Sequence, residues 1–225
     1  MKMSKSLLPS WLQKGFIKIL EPLVSLFKRY DINPNFFTVL GLVITTAGTV
    51  AVIWDAQLIR LTGLLILLGG LCDIFDGQLA RMAGKVTRFG ALFDSSIDRY
   101  SEVVMFFGIG AFYVGRGDYL LSVVTFSALG GSMMVSYIRA RAEALGFEAK
   151  VGLMQRPERI VFMGSGALLS LPLFHLSIFH LEQFPITTLE AAVWLIAIFA
   201  NYTAIQRLIH AYKQDNKSHY VEVKK

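Results

Sequence analysis

The chain has 225 residues, of which 54% are hydrophobic and only 17% charged, with a net charge of +6 and a mean hydropathy of +0.54. A soluble globule carries about 25% charged residues to clothe its surface, so a soluble fold is excluded. One cysteine and no low-complexity tract exclude a disulfide scaffold and a disordered chain.

What remains is an all-α integral membrane protein. The first 33 residues form no signal peptide: the apolar run around Leu7, Leu8 and Leu12 is too short, and no small-residue cleavage signal follows. Trp11, Leu12, Phe16, Ile17, Leu20, Leu23, Val24 and Phe27 recur at helical spacing, with Lys14, Lys18, Lys28 and Arg29 largely between them. That pattern predicts an amphipathic helix lying in the headgroup layer of membrane lipids. Apolar stretches of about 20 residues, enough to cross roughly 30 Å of hydrocarbon, then recur along the chain. They predict six transmembrane helices, at Pro34–Ile53, Leu61–Met82, Phe89–Val114, Tyr119–Ala140, Ile160–Phe179 and Thr187–Ala211. No dyad alternation suggests a barrel.

Positive charge fixes the orientation. Nineteen Lys and Arg residues fall on the side of the termini and the even-numbered connections, and only Arg60 and Arg116 on the other; Arg99 lies inside the third span. Both termini are therefore expected in the cytoplasm, and the protein in the cell (inner, cytoplasmic) membrane as a multi-pass chain. The sequence pI near 9.5 comes from basic residues that are dispersed rather than massed, so no nucleic-acid partner is expected.

Carboxylates inside spans are expensive, about 2.5–3.5 kcal/mol each at mid-helix, and by default mark function. Asp73 and Asp76 share one helix face at i, i+3, and Asp94 and Asp98 share another at i, i+4. The short connection predicts that these two helices are antiparallel neighbours with both pairs near the cytoplasmic side. Four such charges repel strongly at low dielectric unless cations neutralise them. Oxygen ligands without nearby His favour a hard ion, Mg²⁺ first, with Mn²⁺ or Ca²⁺ as alternatives. Cys72 reads as a small apolar residue. Gly77, Ala80 and Gly84 make a flat strip beside the carboxylates, suited to helix packing or to a bulky ligand, with Arg81 and Thr87 placed to hold phosphate oxygens.

Written out, the region is Asp73-x2-Asp76-Gly77-x2-Ala80-Arg81-x8-Gly90-x3-Asp94-x3-Asp98. It resembles, with every fixed position occupied, the signature of the CDP-alcohol phosphotransferase family, and the span count and orientation agree over nearly the whole chain. The resemblance implies transfer of a substituted phosphate from a CDP-linked donor to an alcohol, with release of CMP. It implies Asp73, Asp76 and Asp94 as metal ligands, and Asp98 as general base and further ligand. It implies Asp73, Gly77, Ala80, Arg81 and Thr87 around the CDP moiety. Residues 1–33 are then a cytoplasmic juxtamembrane segment, 34–212 the six-helix catalytic domain and 213–225 a basic tail. A homodimer is also implied, and Gly63, Gly69, Gly70, Gly108 and Gly110 would permit close packing.

The signature does not choose the alcohol. Ser136, Arg139 and Arg141, then Arg156, Pro157 and Arg159, put an excess of positive charge near the same cytoplasmic face. Pro157 marks a helix start, where free N–H groups also favour anions. With Arg207, this stretch resembles the branch of the family that joins inositol phosphate to CDP-diacylglycerol. Ser136, Arg141, Arg156, Arg159 and Arg207 are the expected acceptor-phosphate residues; Arg139, where related sequences often carry lysine, is left out. Glycerol 3-phosphate is the rival acceptor, because an uncharged alcohol such as serine or choline needs no arginine cluster. An ion or proton transporter would also use intramembrane carboxylates, but would show inverted repeats and midplane charges. An inactive scaffold would have no reason to keep the four aspartates together.

Overall fold

A computed structural model of the chain describes residues 10–170, 172–176 and 184–222. Among them are seven helices: α1 (Ser10–Arg29), α2 (Pro34–Trp54), α3 (Ile59–Met82), α4 (Arg88–Gly115), α5 (Tyr119–Ala144), α6 (Arg156–Leu169) and α7 (Thr188–Glu222). Four of the helical segments, 34–54, 56–82, 119–144 and 188–216, are long and apolar enough to cross a membrane. The chain is thus a helical, multi-pass membrane protein.

Local chemistry starts these helices where the sequence says it should. Asn33 caps α2 by accepting from the Asn35 N–H at 3.0 Å, and Pro34 takes the first helical turn, where its missing N–H costs nothing. Thr87 caps α4 through the Gly90 N–H at 2.9 Å, and Asp118 caps α5 through the Leu121 N–H at 3.1 Å. Gly84, at φ +65°, supplies the left-handed turn that ends α3 and lets the chain reverse into α4.

The expected fifth span, Ile160–Phe179, is not one helix. α6 stops at Leu169, Ser170 adopts a left-handed conformation, and the chain continues as a strand, β1 (Pro172–Leu176), paired antiparallel with β2 (Phe184–Thr187). Pro172 has no N–H to extend a helical ladder, which accounts for the stop. Fourteen residues rise only about 21 Å. The predicted end at Phe179 lies outside the described residues. At the other extreme, α7 runs on past Ala211 to Glu222.

Lipid offers helices no hydrophobic incentive to associate, so close approach at small residues carries the packing. A Cβ on Gly63 of α3 would lie 2.6 Å from the Gly164 carbonyl oxygen of α6, and one on Gly41 of α2 would lie 2.9 Å from the Gly69 carbonyl oxygen of α3. Gly70 receives Ile160, Gly108 receives Thr49 and Gly110 receives Phe126. The five glycines expected to serve a subunit interface therefore close helix crossings inside one protomer. Phe106, Ile109, Met163, Val193 and Ile196 fill the core between α4, α6 and α7.

α1 packs beside α2 and α3 through Leu20, Val24 and Phe27, whose ring meets Phe37 and Phe75 at 4.8 and 5.5 Å between centroids. Cys72 is buried in that apolar cluster, as its reading as a small hydrophobe requires. Ile19, Leu23 and Leu26 on the same helix stay exposed.

Another expectation about the fold is met only in part. α3 and α4, though joined by a short loop, make little backbone contact with each other, and α2 packs against both. Gly41 and Gly69 draw α2 onto α3, and Gly108 draws α4 onto Thr49 of α2, so the closest packing is already taken. A gap between α3 and α4 results, and the carboxylates face each other across it.

Candidate active site

Asp73 and Asp76 of α3 and Asp94 of α4 each direct a carboxylate oxygen to one point; these oxygens lie within 4.8 Å of one another. Asp76 is buried, and Thr38 of α2 donates its hydroxyl to Asp76 Oδ2 at 2.6 Å, which fixes the orientation of that ligand. Asp94 Oδ1 is buried without a hydrogen-bond partner among the described residues. Three converging carboxylates with an unsatisfied oxygen and no nitrogen donor fit a hard divalent cation.

Asp98 stands one turn beyond Asp94 and outside that trio. Its Oδ1 meets Arg156 Nη2 at 2.7 Å, while Arg156 Nη1 meets Asp73 Oδ2 at 2.5 Å. One guanidinium from the first turn of α6 thus ties α3 to α4 across the gap, a forked geometry that lysine cannot copy. A small cavity of about 20 Å³, room for a water, runs below the carboxylates between α2, α3, α4 and α6.

Of the strip expected beside the carboxylates, Gly77 and Ala80 lie on α3 and Gly84 falls past its end. Gly77 and Ala80 are half-buried on α3, and Arg81 and Thr87 are exposed at the mouth of the gap. The Arg81 guanidinium folds back over Gly77, with Nη2 3.4 Å from where a Cβ would stand. The Thr87 oxygen already accepts from the helix start, which leaves its O–H free to donate.

On the far side of Arg156 lies a second, larger cavity of about 280 Å³, lined by Arg99, Ser136, Arg139, Arg156, Arg159 and Arg207 with Glu143. Arg207 is 3% exposed and gives Nε to the Val151 carbonyl at 2.8 Å and Nη1 to the Val135 carbonyl at 2.6 Å. Those bonds fix its fork, with Glu143 on the wall of the same cavity. Ser136 donates to the Ser132 carbonyl at 3.3 Å.

Two sequence expectations change here. Arg141 is exposed and does not line the cavity; Arg139, two residues earlier on α5, does. Two residues are about 200° around a helix, so both cannot face one cavity. Arg159 reaches the cavity wall but is fully buried, with Nε 2.7 Å and Nη2 2.5 Å from Glu102 Oε1 and Nη1 donating to the Met154 carbonyl at 3.1 Å. Its charge is paired with Glu102 at the cavity wall.

Thr38 and Glu102, which line the small cavity, are missed by sequence reasoning, and Arg139, which it sets aside, lines the larger one. Glu102 carried a usable signal: it is a third carboxylate on the Asp94–Asp98 face, at the same four-residue interval. Thr38, one hydroxyl among several in an apolar span, carried none.

A family model described as CDP-alcohol phosphatidyltransferase matches residues 31–207. The chain belongs to that family, and is a transferase of it. It is 35% identical over 201 residues to an archaetidylinositol phosphate synthase of Pyrococcus horikoshii, covering 88% of this chain and 94% of the relative. It is 33% identical over 201 residues to a phosphatidylinositol phosphate synthase of Mycobacteroides abscessus, covering 87% and 84%. The crystal structure of Mycobacterium tuberculosis phosphatidylinositol phosphate synthase with CDP-DAG bound superimposes with a TM-score of 0.71 at 29% identity, covering 87% of this chain and 94% of that one. The same enzyme in complex with manganese and citrate gives a TM-score of 0.70 at 29% identity, covering 85% and 88%.

Proposed function

We propose that the protein transfers a phosphatidyl group from CDP-diacylglycerol to inositol phosphate and releases CMP. The observation that carries this reading is the junction at Arg156: the carboxylate trio and the basic cavity meet at one guanidinium that lines both. A site for a pyrophosphate donor and a site for an anionic alcohol are thereby side by side. The solved relative with CDP-DAG bound supports the donor, and the relatives named as inositol phosphate synthases support the acceptor.

Asp73, Asp76 and Asp94 would hold Mg²⁺ or Mn²⁺, with Asp98 adjacent; manganese in the solved relative supports this assignment. A cation held there would supply neutralisation of the pyrophosphate charge and polarisation of the attacked phosphorus. Gly77 and Ala80 leave room for the nucleotide against α3, and Arg81 and Thr87 offer donors to its phosphate oxygens. Ser136, Arg156 and Arg207, with Arg139 in place of Arg141, hold the acceptor phosphate. Asp98 takes the proton from the acceptor hydroxyl as its oxygen bonds to the donor's lipid-bearing phosphorus; the bond from that phosphorus to the CMP oxygen breaks, and CMP leaves with the electron pair.

The membrane arrangement belongs to the same proposal. α2 to α7 make six crossings, α4 despite its charges and α6 despite its length, with α1 in the headgroup layer on its exposed Ile19, Leu23 and Leu26. The basic residues support cytoplasmic termini and a cytoplasmic site. Residues 1–33, 34–212 and 213–225 serve as juxtamembrane segment, catalytic domain and tail. The homodimer rests on the family resemblance, since the glycines lie inside the protomer; the mass in nanodiscs tests it.

Incubation of the purified protein with CDP-diacylglycerol, Mg²⁺ and labelled inositol phosphate, glycerol 3-phosphate, inositol or serine tests the activity. Lipid product and CMP are expected from inositol phosphate alone. Preferential use of glycerol 3-phosphate would overturn the acceptor.

A further inference from the structure

Glu102 and Arg159 are buried ionised groups that the transfer reaction does not use. They are 1% and 0% exposed, inside a membrane-spanning bundle where a charge needs a reason. Glu102 follows Asp98 by one turn of α4, and Arg159 follows Arg156 by one turn of α6, so each pair shares a helix face. Two ion pairs therefore stack like rungs between these helices: Asp98 with Arg156 at 2.7 Å, and Glu102 with Arg159 at 2.5 Å, one turn farther from the mouth.

What the rungs hold apart matters, because the backbones of α4 and α6 scarcely approach each other. α4 supplies Ser95 and Arg99 to the wall of the basic cavity, and α6 supplies Arg156, Pro157 and Arg159 to another. The apolar core that joins them, Phe106 and Ile109 with Met163, lies deeper, so at this end of the helices side-chain length sets the spacing of those walls. The first rung consists of groups placed in the chemistry. The second does not touch the reaction, and Arg159 extends it by gripping the Met154 carbonyl in the segment leading into α6.

We infer that Glu102 is a positioning residue for the acceptor: through Arg159 it fixes the first turn of α6 against α4, and so holds Arg156 and the cavity wall where the acceptor's phosphate binds. This rests on the acceptor reading above. Removing only one partner would strand a buried charge, which is strongly destabilising on general grounds, whereas removing both charges together strands neither, and the new amide keeps an oxygen near Arg99, which is 3.6 Å from Glu102 Oε2. The paired variant Glu102→Gln, Arg159→Met is therefore the informative one.

The full chain in nanodiscs is measured for thermal unfolding, CDP-diacylglycerol affinity, kcat and KM for inositol phosphate, and affinity for inorganic phosphate. The paired variant is expected to fold and to bind donor as the unaltered protein does. Its KM for inositol phosphate and its Kd for inorganic phosphate should both rise about tenfold or more, with a smaller change in kcat, because a displaced wall misplaces the ligand. Arg159→Lys keeps the charge but loses the fork, and should fall between the two. Unchanged KM and phosphate affinity in the paired variant overturn the inference, and so does an equal loss of donor affinity, which would indicate general loosening. If the paired variant does not fold, Arg159→Lys decides by the same readouts. If the unaltered protein ignores inositol phosphate, the acceptor reading falls, and the ratio of phosphate affinities still decides the role of Glu102.

Discussion

Thr38 on α2 holds Asp76 on α3 by a 2.6 Å hydrogen bond, so the helix packed against both α3 and α4 also aims one of the carboxylates between them. A hydrogen bond to a charged group contributes about 1.5–3 kcal/mol, and here it freezes a rotamer that repulsion from Asp73 and Asp94 would disturb. Thr38→Val is therefore expected to weaken Mn²⁺ binding roughly 10–100-fold, the usual effect of losing a partner behind a metal ligand. Thr38→Ser should stay close to the unaltered protein. Mn²⁺ titration followed by electron paramagnetic resonance checks both, and equal affinity in Thr38→Val would refute the orienting role.

The helix crossings give a stability test that is independent of chemistry. A Cβ on Gly63 would meet the backbone of α6, at 2.6 Å from the Gly164 oxygen and closer still to the Leu168 nitrogen. Backbone cannot move aside as a flexible side chain can. Gly63→Ala should cost at least the ~1–3 kcal/mol of overpacking, seen as a lower unfolding temperature in mild detergent. Gly130→Ala, with nothing within 4 Å of its Cβ position, should be neutral or mildly stabilising through helix propensity.

These two cases mark where sequence reasoning succeeds and stops. The aspartates were legible because ionised groups in apolar spans are costly and their three- and four-residue intervals report a shared face. The spans were legible from length and apolarity, save that Pro172 and the strand after it were hidden in a run with the composition of a helix. Which helix packs on which was not legible. Loop length made α3 and α4 neighbours, whereas the Gly41–Gly69 and Gly108–Thr49 contacts pack α2 on both, and α3 and α4 meet mainly through their side chains. Local charge also misled: Arg139, Arg141 and Arg159 look alike in sequence, and only the folded chain shows one facing a cavity, one exposed and one neutralised by Glu102.

Removal of divalent metal should abolish turnover, and Mg²⁺ or Mn²⁺ should restore it. Asp94→Asn should mimic removal, because it takes a negative charge from a trio whose oxygens lie within 4.8 Å of one another. With repulsion relieved, Asp94→Asn should unfold at the same temperature as the metal-free parent, or slightly higher. Full activity in excess chelator would refute the metal site; an unfolded variant would instead make Asp94 a structural residue.

Asp98 separates proton transfer from ligation. It lies one turn beyond Asp94, outside the trio, and its Oδ1 contacts Arg156, which lines the acceptor cavity. A base must reach the hydroxyl that attacks, so this position suits it better than that of the other three carboxylates. Asp98→Asn keeps the shape and one acceptor oxygen but removes the proton affinity. Turnover should fall roughly 10²–10⁴-fold, the range for loss of a general base, with CDP-diacylglycerol affinity largely retained. Asp76→Asn should behave differently, weakening donor and metal together, because Asp76 belongs to the trio and is held there by Thr38. Parallel measurement of kcat, donor Kd and Mn²⁺ Kd distinguishes the two. If Asp98→Asn loses metal affinity as steeply as Asp76→Asn, Asp98 is chiefly a ligand, and the proton leaves by another route.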